Sequence, residues 1–287
     1  MTGYKVATVR DTETRNDTLW YILYMAKIQE QLQSNMMPLL VLLLVGASFF
    51  IGRLSSQVET LKNGTPAAPQ PQAQVAQKDP TVTLDQIKGL FKQDLVKFGD
   101  DKRKVLFVEV SDPSCPYCHF AAGLNSDLYN SEARFKPVSA GGSYRPPVQE
   151  MKKLLNEGKI SYVWIYQNGH GNGELATKAL YCANDKGKFW EAHDLLYSAE
   201  GYKLINETVK NDVAKSGEMA TFLKKAVDEK VMKDCLESGK YDARIGADAG
   251  IAASLGVNGT PGFFVNNTNY PGAVSFSDME SAVKAAL

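Results

Sequence analysis

The hydrophobic pattern changes abruptly within the first third of the chain. Residues 31–52 carry no charged side chain, and residues 36–52 are almost wholly apolar, which is enough to cross a bilayer as one helix. Residues 63–80 are rich in proline, alanine and glutamine and poor in large apolar side chains, so they cannot bury a core. We therefore predict a single transmembrane helix over residues 36–53 and a disordered linker over residues 54–80.

Patterns typical of strands and helices begin after the linker and predict an α/β domain over residues 81–287. Apolar runs at residues 105–110 and 159–166 predict buried strands, and a third, shorter strand is predicted at residues 263–265. Between the second and third strands, apolar residues recur three and four positions apart, a spacing that predicts helices. The predicted helices cover residues 172–183, 188–198, 218–238 and 241–255, and capping patterns at Thr83–Gln86 and Ser277–Glu280 mark the starts of two more.

Two cysteines separated by two residues, Cys115 and Cys118, follow the first strand and open a predicted helix. A helix start exposes unpaired backbone N–H groups and the positive end of the helix dipole, so it favours a thiolate there. Pro116 suits the first turn, where its missing donor leaves no hydrogen bond unmade. We therefore predict a redox centre in which the more exposed Cys115 attacks disulfides and Cys118 resolves the mixed disulfide.

A carboxyl group in the first strand supplies a candidate proton carrier. Glu109 lies among apolar residues of a strand that is predicted to be buried on both faces, and burial raises the pKa of a carboxyl group. Such a group can relay a proton to or from Cys118. The alternative is that Glu109 ends the strand with its carboxylate in water.

A second motif, at residues 256–262, precedes the third strand and contains the pair Thr260 and Pro261. Here the chain resembles the thioredoxin superfamily, in which a cis-proline loop faces the two thiols and the residue before the proline pairs through its backbone with the substrate. The resemblance implies a catalytic position for Pro261 and a substrate-binding one for Thr260. An ordinary trans turn is the alternative, since few X-Pro bonds are cis.

The spacing of the motifs narrows the resemblance to the DsbA-like family of thiol:disulfide oxidoreductases. Cys118 and Pro261 lie 143 positions apart, more than a compact thioredoxin or glutaredoxin core contains, although Cys-Pro-Tyr-Cys is also a familiar glutaredoxin motif. A thioredoxin-like fold with an inserted helical domain, here at about residues 172–256, is the DsbA-like layout. The segments that carry the resemblance are Asp112–Cys118, Gly187–His193 and Gly259–Phe264, and it covers roughly residues 81–287.

This resemblance implies an enzyme that forms or exchanges disulfides in secreted or envelope proteins and needs no bound cofactor. Its clients would be unfolded or partly folded polypeptides. An oxidase would need a reoxidant, which the family implies to be a quinone-linked membrane protein. The direction of disulfide exchange stays open, because a disulfide reductase or isomerase would share the fold of an oxidase.

Residues around the thiols are expected to shape substrate binding and redox strength. Pro116, Tyr117 and His119 are expected to line the substrate site with Thr260. Tyr117 stands where the best-known DsbA proteins carry a histidine that stabilises the thiolate, and His119 is expected to compensate in part. We therefore expect a potential between those of a strong oxidase and a glutaredoxin, on the order of −120 to −230 mV.

Two other features of the domain remain after this assignment. Cys182 and Cys235 lie near the ends of the helical insertion, and a leftover pair in an oxidising compartment is usually bridged. We therefore predict a structural disulfide, with two separate buried thiols as the alternative. Residues 134–158 are a longer connection than the resemblance leads us to expect, and the sequence leaves their role open.

The distribution of cations predicts which side of the membrane the domain occupies. More cations precede the apolar span than follow it, which places residues 1–35 in the cytoplasm and the domain outside, at the cell membrane. A cleaved signal peptide is the alternative, although about thirty-five residues precede the apolar core and no convincing cleavage site follows it. The cations are Lys5, Arg10, Arg15 and Lys27 before the span and Arg53 and Lys62 after it.

Composition and spacing argue against other functional classes. The chain has 32 basic and 32 acidic residues and no basic stripe, so nucleic acid is not an expected partner. Cys115, Cys118 and His119 fit the c-type haem attachment pattern, which leaves an electron-transfer protein as an alternative. A chaperone-like binding module with idle thiols is another. No metal site is predicted, because Cys182 and Cys235 lack the short paired spacing of zinc ligands and His170 and His193 are expected to be packing or surface residues.

Overall fold

The computed structural model describes Tyr24, Met25, Lys27 and residues 82–287. The predicted transmembrane helix at residues 36–53 and the linker at residues 54–80 lie outside the described residues, as does most of the predicted cytoplasmic segment. None of the helices within the described part of the chain has the length and hydrophobicity needed to span a bilayer.

A mixed five-stranded sheet runs through the domain in the order β1-β3-β2-β4-β5. Strands β2 and β3 are parallel, β4 runs antiparallel to β2, and β1 and β5 extend the two edges antiparallel to their neighbours. Every residue of β2 and β3 is buried, as expected for strands covered on both faces. The strands are β1 Val96–Phe98, β2 Val105–Ser111, β3 Ile160–Tyr166, β4 Gly262–Val265 and β5 Thr268–Pro271.

Helices cover both faces of this sheet. Within residues 82–287, one α-helix precedes β1, three lie between β2 and β3, six lie between β3 and β4, and one follows β5. The predicted thioredoxin-like α/β fold is confirmed. The helices are α1 Leu84–Leu90, α2 Pro116–Ala122, α3 Ser126–Ser131, α4 Pro147–Asn156, α5 Glu174–Asn184, α6 Phe189–Leu196, α7 Ala199–Lys203, α8 Ser216–Leu223, α9 Glu229–Glu237, α10 Asp242–Ser254 and α11 Phe276–Ala286.

The alternation of side chains along β2 creates two cores. Leu106 and Val108 point to the core that α1 and α10 complete, whereas Phe107 points to a larger core shared with α5 and α6. Successive strand residues face opposite sides of a sheet, so Glu109 and Ser111 share the face of Phe107. Because they share this face, Glu109 and Ser111 lie beneath the helices that connect β3 and β4.

Two predicted helix boundaries are wrong. The predicted helix over residues 218–238 is two helices, because Asp228 leaves the helical conformation and caps α9 through the Val231 N–H at 3.0 Å. The capping box of the last helix is set by Ser275 and Asp278, two residues earlier than predicted. The capping box between Thr83 and Gln86 is present at the start of α1.

Candidate functional site

Helix α2 positions the two thiols. Cys115 is its N-cap, with extended backbone, and its carbonyl oxygen accepts the N–H groups of Cys118 at 3.1 Å and His119 at 3.2 Å. Pro116 occupies the first turn. Cys115 is only 4% exposed, less than the sequence led us to expect for an attacking thiol, but Cys118 is fully buried. Cys115 is therefore the more accessible sulfur.

The loop before β4 meets the thiol at this helix start. The peptide bond between Thr260 and Pro261 is cis. The Sγ atom of Cys115 lies 3.5 Å from the carbonyl oxygen of Thr260. The fold thus brings together two motifs that are 145 positions apart in sequence.

Hydrogen bonding makes the two thiols chemically unequal. The pKa of Cys115 is lowered from 9.0 to about 6, chiefly by its hydrogen bond with the Cys118 thiol and against the effect of burial, with smaller contributions from Thr260 and the backbone N–H groups of Cys118 and Tyr117. Burial, together with the nearby Cys115, raises the pKa of Cys118 well above 9.0. In neutral solution Cys115 is therefore largely thiolate and Cys118 is a thiol, which suits them as attacking and resolving sulfurs.

A buried carboxylate fixes the loop that carries Cys115. Asp112 accepts the Ser114 N–H at 2.8 Å and hydroxyl at 2.7 Å, and its other oxygen accepts the N–H groups of Gly169 at 2.8 Å and His170 at 2.9 Å. These bonds join the thiol loop to the loop after β3. Sequence reasoning included Asp112 only as part of a family landmark, because its partners lie 57 and 58 positions away.

Glu109 lies deep in the sheet beside the thiols. It is fully buried, and one carboxyl oxygen accepts the hydroxyl of Tyr162. Burial raises the pKa of Glu109, while His193, Tyr162 and Ser111 oppose the rise. The Ser111 hydroxyl lies close enough to lower the pKa of Cys118 as well. The alternative placement of Glu109 at a solvated strand end is wrong, and Ser111 links its carboxyl to the resolving thiol.

The side chain of Tyr117, between the two cysteines, faces an open groove. Tyr117 is 45% exposed, and Pro116 is partly exposed. A cavity of about 600 Å³ adjoins Tyr117 and Thr260, and the connection at residues 134–158 supplies much of its wall. Phe135 of this connection stacks on Phe120 of α2, with ring centroids 4.2 Å apart. The cavity is lined by Tyr117, Arg134, Phe135, Tyr144, Thr260 and Asp278, among others.

The sequence led us to expect that His119 lines the substrate site and helps to stabilise the thiolate, and both expectations are wrong. Its ring is 1% exposed, with Nε2 2.8 Å from the Pro113 carbonyl oxygen and Nδ1 3.1 Å from the Tyr197 carbonyl oxygen and 3.3 Å from the Asn125 amide nitrogen. Burial lowers the pKa of His119 to about 4. A neutral, enclosed ring neither lines the substrate groove nor supplies positive charge to the thiolate. Because both ring nitrogens are engaged, the geometry also disfavours the c-type haem alternative.

The other two cysteines form a disulfide. Cys182 of α5 is bonded to Cys235 of α9. The bond closes a segment of 53 positions within the helical region between β3 and β4. Because both sulfurs are engaged, neither can serve as a thiolate ligand in the zinc alternative.

Comparisons with solved structures agree with this geometry. Residues 147–285 match a family model described as Thioredoxin. A double-substituted form of Wolbachia pipientis alpha-DsbA1 has a TM-score of 0.52 at 14% identity, over 71% of this chain and 96% of that one. Reduced DsbG of Mycobacterium tuberculosis has a TM-score of 0.50 at 21% identity, over 70% of this chain and 92% of that one.

The domain has a thioredoxin-like fold, similar to the folds of these DsbA and DsbG structures.

Curated relatives of this thioredoxin-like domain occur in two contexts. A Rickettsia conorii protein named as a protein-disulfide oxidoreductase is 23% identical over 216 residues, which are 74% of this chain and 68% of that protein. The Na⁺/H⁺ antiporter NhaA 1 of Salinispora arenicola is 28% identical over 192 residues, 66% of this chain but only 24% of the antiporter. The chain thus spans about a quarter of the length of this relative.

Proposed function

We propose that the DsbA-like domain is a thiol:disulfide oxidoreductase that exchanges disulfides with polypeptide clients through Cys115. The observation that carries the proposal is the position of the Cys115 sulfur at a helix start, 3.5 Å from the Thr260 carbonyl beside cis-Pro261. The family name of the Rickettsia conorii relative supports the same reaction.

The two sulfurs act in sequence during client oxidation. A client thiolate attacks Cys115 of the Cys115–Cys118 disulfide, the bond between the two cysteines breaks, and Cys118 leaves as a thiolate that takes up a proton. A second client thiolate then attacks the client sulfur of the mixed disulfide, and Cys115 leaves as a thiolate. The client loses two electrons and the domain gains them. The lowered pKa of Cys115 makes it a good leaving group in this last step.

The groove beside Tyr117 is where a client strand would lie. Thr260 presents backbone next to the reactive sulfur, so an extended client can pair with it while its cysteine reaches Cys115. The cavity beyond Tyr117 has Phe135 and Tyr144 in its wall, and these rings favour an apolar client side chain near the reacting cysteine. Exposed apolar segments are typical of unfolded or partly folded polypeptides.

Stabilisation of the thiolate favours the oxidising direction. A shift of the Cys115 pKa from 9.0 to about 6 stabilises the reduced form by about 1.4 kcal/mol at pH 7, or roughly 30 mV. This makes the disulfide a better oxidant, so we place client oxidation ahead of reduction or isomerisation. An oxidase needs a reoxidant, for which we propose a quinone-linked membrane protein.

We also propose that the domain acts outside the cytoplasm on a membrane tether. The apolar run at residues 36–53 and the proline-rich residues 54–80 supply an anchor and a spacer in the sequence. The disulfide between Cys182 and Cys235 supports an oxidising compartment, where such bonds persist.

Client oxidation by the full chain tests the proposed function. The oxidised chain is mixed with a reduced, unfolded protein that has two cysteines, and client disulfide is followed by mass. Cys118→Ser, oxidised at Cys115 by an external disulfide and mixed with a form of the client that has only one cysteine, is expected to accumulate the mixed disulfide, because neither protein then has a second thiol to resolve it. Cys115→Ser is expected to abolish exchange. Retained exchange in Cys115→Ser would refute the proposal, and client binding without exchange in the unsubstituted chain would favour the chaperone-like alternative.

A further inference from the structure

A group of buried polar side chains surrounds Glu109. The Ser111 hydroxyl is 2.8 Å from the Tyr197 hydroxyl, and the His193 ring stacks on Tyr197 with centroids 4.2 Å apart. Glu109, Ser111 and His193 are all fully buried. Sequence reasoning expected His193 to be a packing or surface residue, which accounts for its burial but not for the polar atoms around it.

Two atoms of this group face no hydrogen-bond partner. Within residues 82–287, both Glu109 Oε1 and His193 Nε2 are buried and unpaired. The two side chains are near enough that His193 acts on the pKa of Glu109. Folded proteins rarely leave buried polar atoms unpaired without a functional reason. Because both atoms are unpaired, they are not hydrogen-bonded to each other, and a proton passing between these two neighbouring groups needs a bridging water.

The opposite edge of the buried His193 ring contacts a partly exposed carboxylate. His193 Nδ1 lies 3.1 Å from an oxygen of Asp194, and the other oxygen of Asp194 lies 2.6 Å from the Lys152 ammonium. The Asp194 side chain is 41% exposed. Burial opposes ionisation of Asp194, but His193 and Lys152 together lower its pKa. An ionised carboxylate only accepts hydrogen bonds, so Nδ1 carries the proton and the buried Nε2 is left as the base.

We propose that His193 and Asp194 connect the buried Glu109 carboxyl to solvent and carry the proton that Cys118 exchanges in each cycle. This inference rests on the proposed function. When the domain is reoxidised, Cys118 loses its proton through Ser111 to Glu109, and its thiolate attacks the Cys115 sulfur of the mixed disulfide. The bond from Cys115 to the outgoing thiolate breaks. The proton passes from Glu109 through a bridging water to His193 Nε2, while Nδ1 gives its proton to Asp194, which releases it to solvent.

The charges around His193 allow this route. Burial raises the pKa values of Tyr162 and Tyr197 well above 10.0 and lowers that of His119 to about 4, so these neighbours stay uncharged in neutral solution. His193 acts through Glu109 and is therefore a positioning residue for the chemistry at Cys118. The titratable and charged groups that face it are Glu109 on β2, Tyr162 on β3, His119 on α2, Lys152 on α4, and Asp194 and Tyr197 on or beside α6.

The test separates the two thiol steps by mixing the reduced full chain rapidly with oxidised glutathione. In the first step the Cys115 thiolate attacks the glutathione disulfide and releases one glutathione thiolate. In the second step Cys118 gives up its proton, closes the disulfide with Cys115 and releases the other glutathione thiolate. Acid quenching followed by mass measurement resolves the mixed disulfide from the closed form, and each step is timed in H₂O and in D₂O.

Variants of the relay have a matched control. His193→Gln keeps a polar side chain but no ring that can relay a proton, and Asp194→Asn removes only the carboxylate. Asp194→Glu restores the carboxylate and serves as the conservative rescue. Asp127→Asn is the control, because Asp127 is also an exposed carboxylate paired with a lysine, Lys203, at 2.7 Å.

The expected result is a selective loss of the second step. His193→Gln and Asp194→Asn are expected to slow disulfide closure at least about tenfold and to increase its solvent isotope effect, with the first step unchanged. Asp194→Glu and Asp127→Asn are expected to match the unsubstituted chain. Unchanged closure in Asp194→Asn would overturn the proposal, as would equal slowing of both steps. If His193→Gln does not fold, the Asp194 variants decide. Absence of the first step in the unsubstituted chain would instead refute the proposed function and the relay with it.

Discussion

The lowered pKa of Cys115 makes the stability of the reduced domain depend on pH in a defined direction. A thiol whose pKa is about 6 when folded and 9.0 when unfolded stabilises the fold fully above pH 9, and this stabilisation is lost as the pH falls through 6. Its contribution is about 0.4 kcal/mol at pH 6, about 1.4 at pH 7 and about 2.7 at pH 8. Replacing the thiol by alanine removes this contribution.

Urea unfolding of the reduced full chain and of reduced Cys115→Ala measures this difference. Both proteins are reduced mildly, so that the buried disulfide at Cys182 survives, and are unfolded without oxygen from pH 5 to pH 8. The unfolding free energy of the chain with Cys115, minus that of the variant, is expected to rise by about 2 kcal/mol between pH 6 and pH 8. Other titrating groups are common to both proteins and cancel.

A second variant tests the cause of the shift. The Cys118 thiol is the largest contributor to the low pKa of Cys115, so Cys118→Ala is expected to move the rise in stability to higher pH without abolishing it. Parallel pH profiles for the unsubstituted chain and Cys115→Ala, within about 0.5 kcal/mol, would refute the reasoning that Cys115 is held as a thiolate by its folded surroundings.

Three further substitutions have expected outcomes. A Cβ atom on Gly169 would lie 1.8 Å from the Thr260 hydroxyl oxygen, so Gly169→Ala is expected to shift the cis-proline loop and slow client exchange, measured with the two-cysteine client. The double substitution Cys182→Ala and Cys235→Ala opens a loop of 53 positions, and calorimetry should show a loss of up to about 4 kcal/mol by the chain-entropy model; a loss under about 1 kcal/mol would contradict it. Ser275→Ala removes an N-cap and is expected to cost about 1 kcal/mol in urea unfolding, with unchanged alkylation of Cys115.

Local patterns in the sequence predict much of the sheet and the reactive pair. The short apolar runs at residues 105–110 and 159–166 are typical of buried strands, and a helix is predicted after the turn that carries Cys115, so the thiols belong at the edge of a sheet. Period-two alternation also predicts that Glu109 shares a face with Phe107. The meeting of Cys115 with Thr260 was predicted through a family resemblance, because nothing local specifies a contact 145 positions away.

Tertiary contacts determine the structural features that local sequence patterns do not predict. His119 follows Cys118 directly, but the rotation of α2 turns its ring inward, toward the Pro113 carbonyl. The break between α8 and α9 depends on Asp228, whose side chain can either cap a helix or lie exposed within one. The position of His193 near Glu109 depends on which face of α6 packs on the sheet. The helical pattern of α6 does not determine which face this is.

The pH dependence of alkylation at Cys115 tests the central claim most directly. The reduced full chain is treated with iodoacetamide from pH 4 to pH 10, and the labelled residue is identified by mass spectrometry. We predict label on Cys115 alone, with a rate that is half-maximal near pH 6 and falls about tenfold between pH 7 and pH 5. Label on Cys118, or a half-maximal rate near pH 9, would contradict the account.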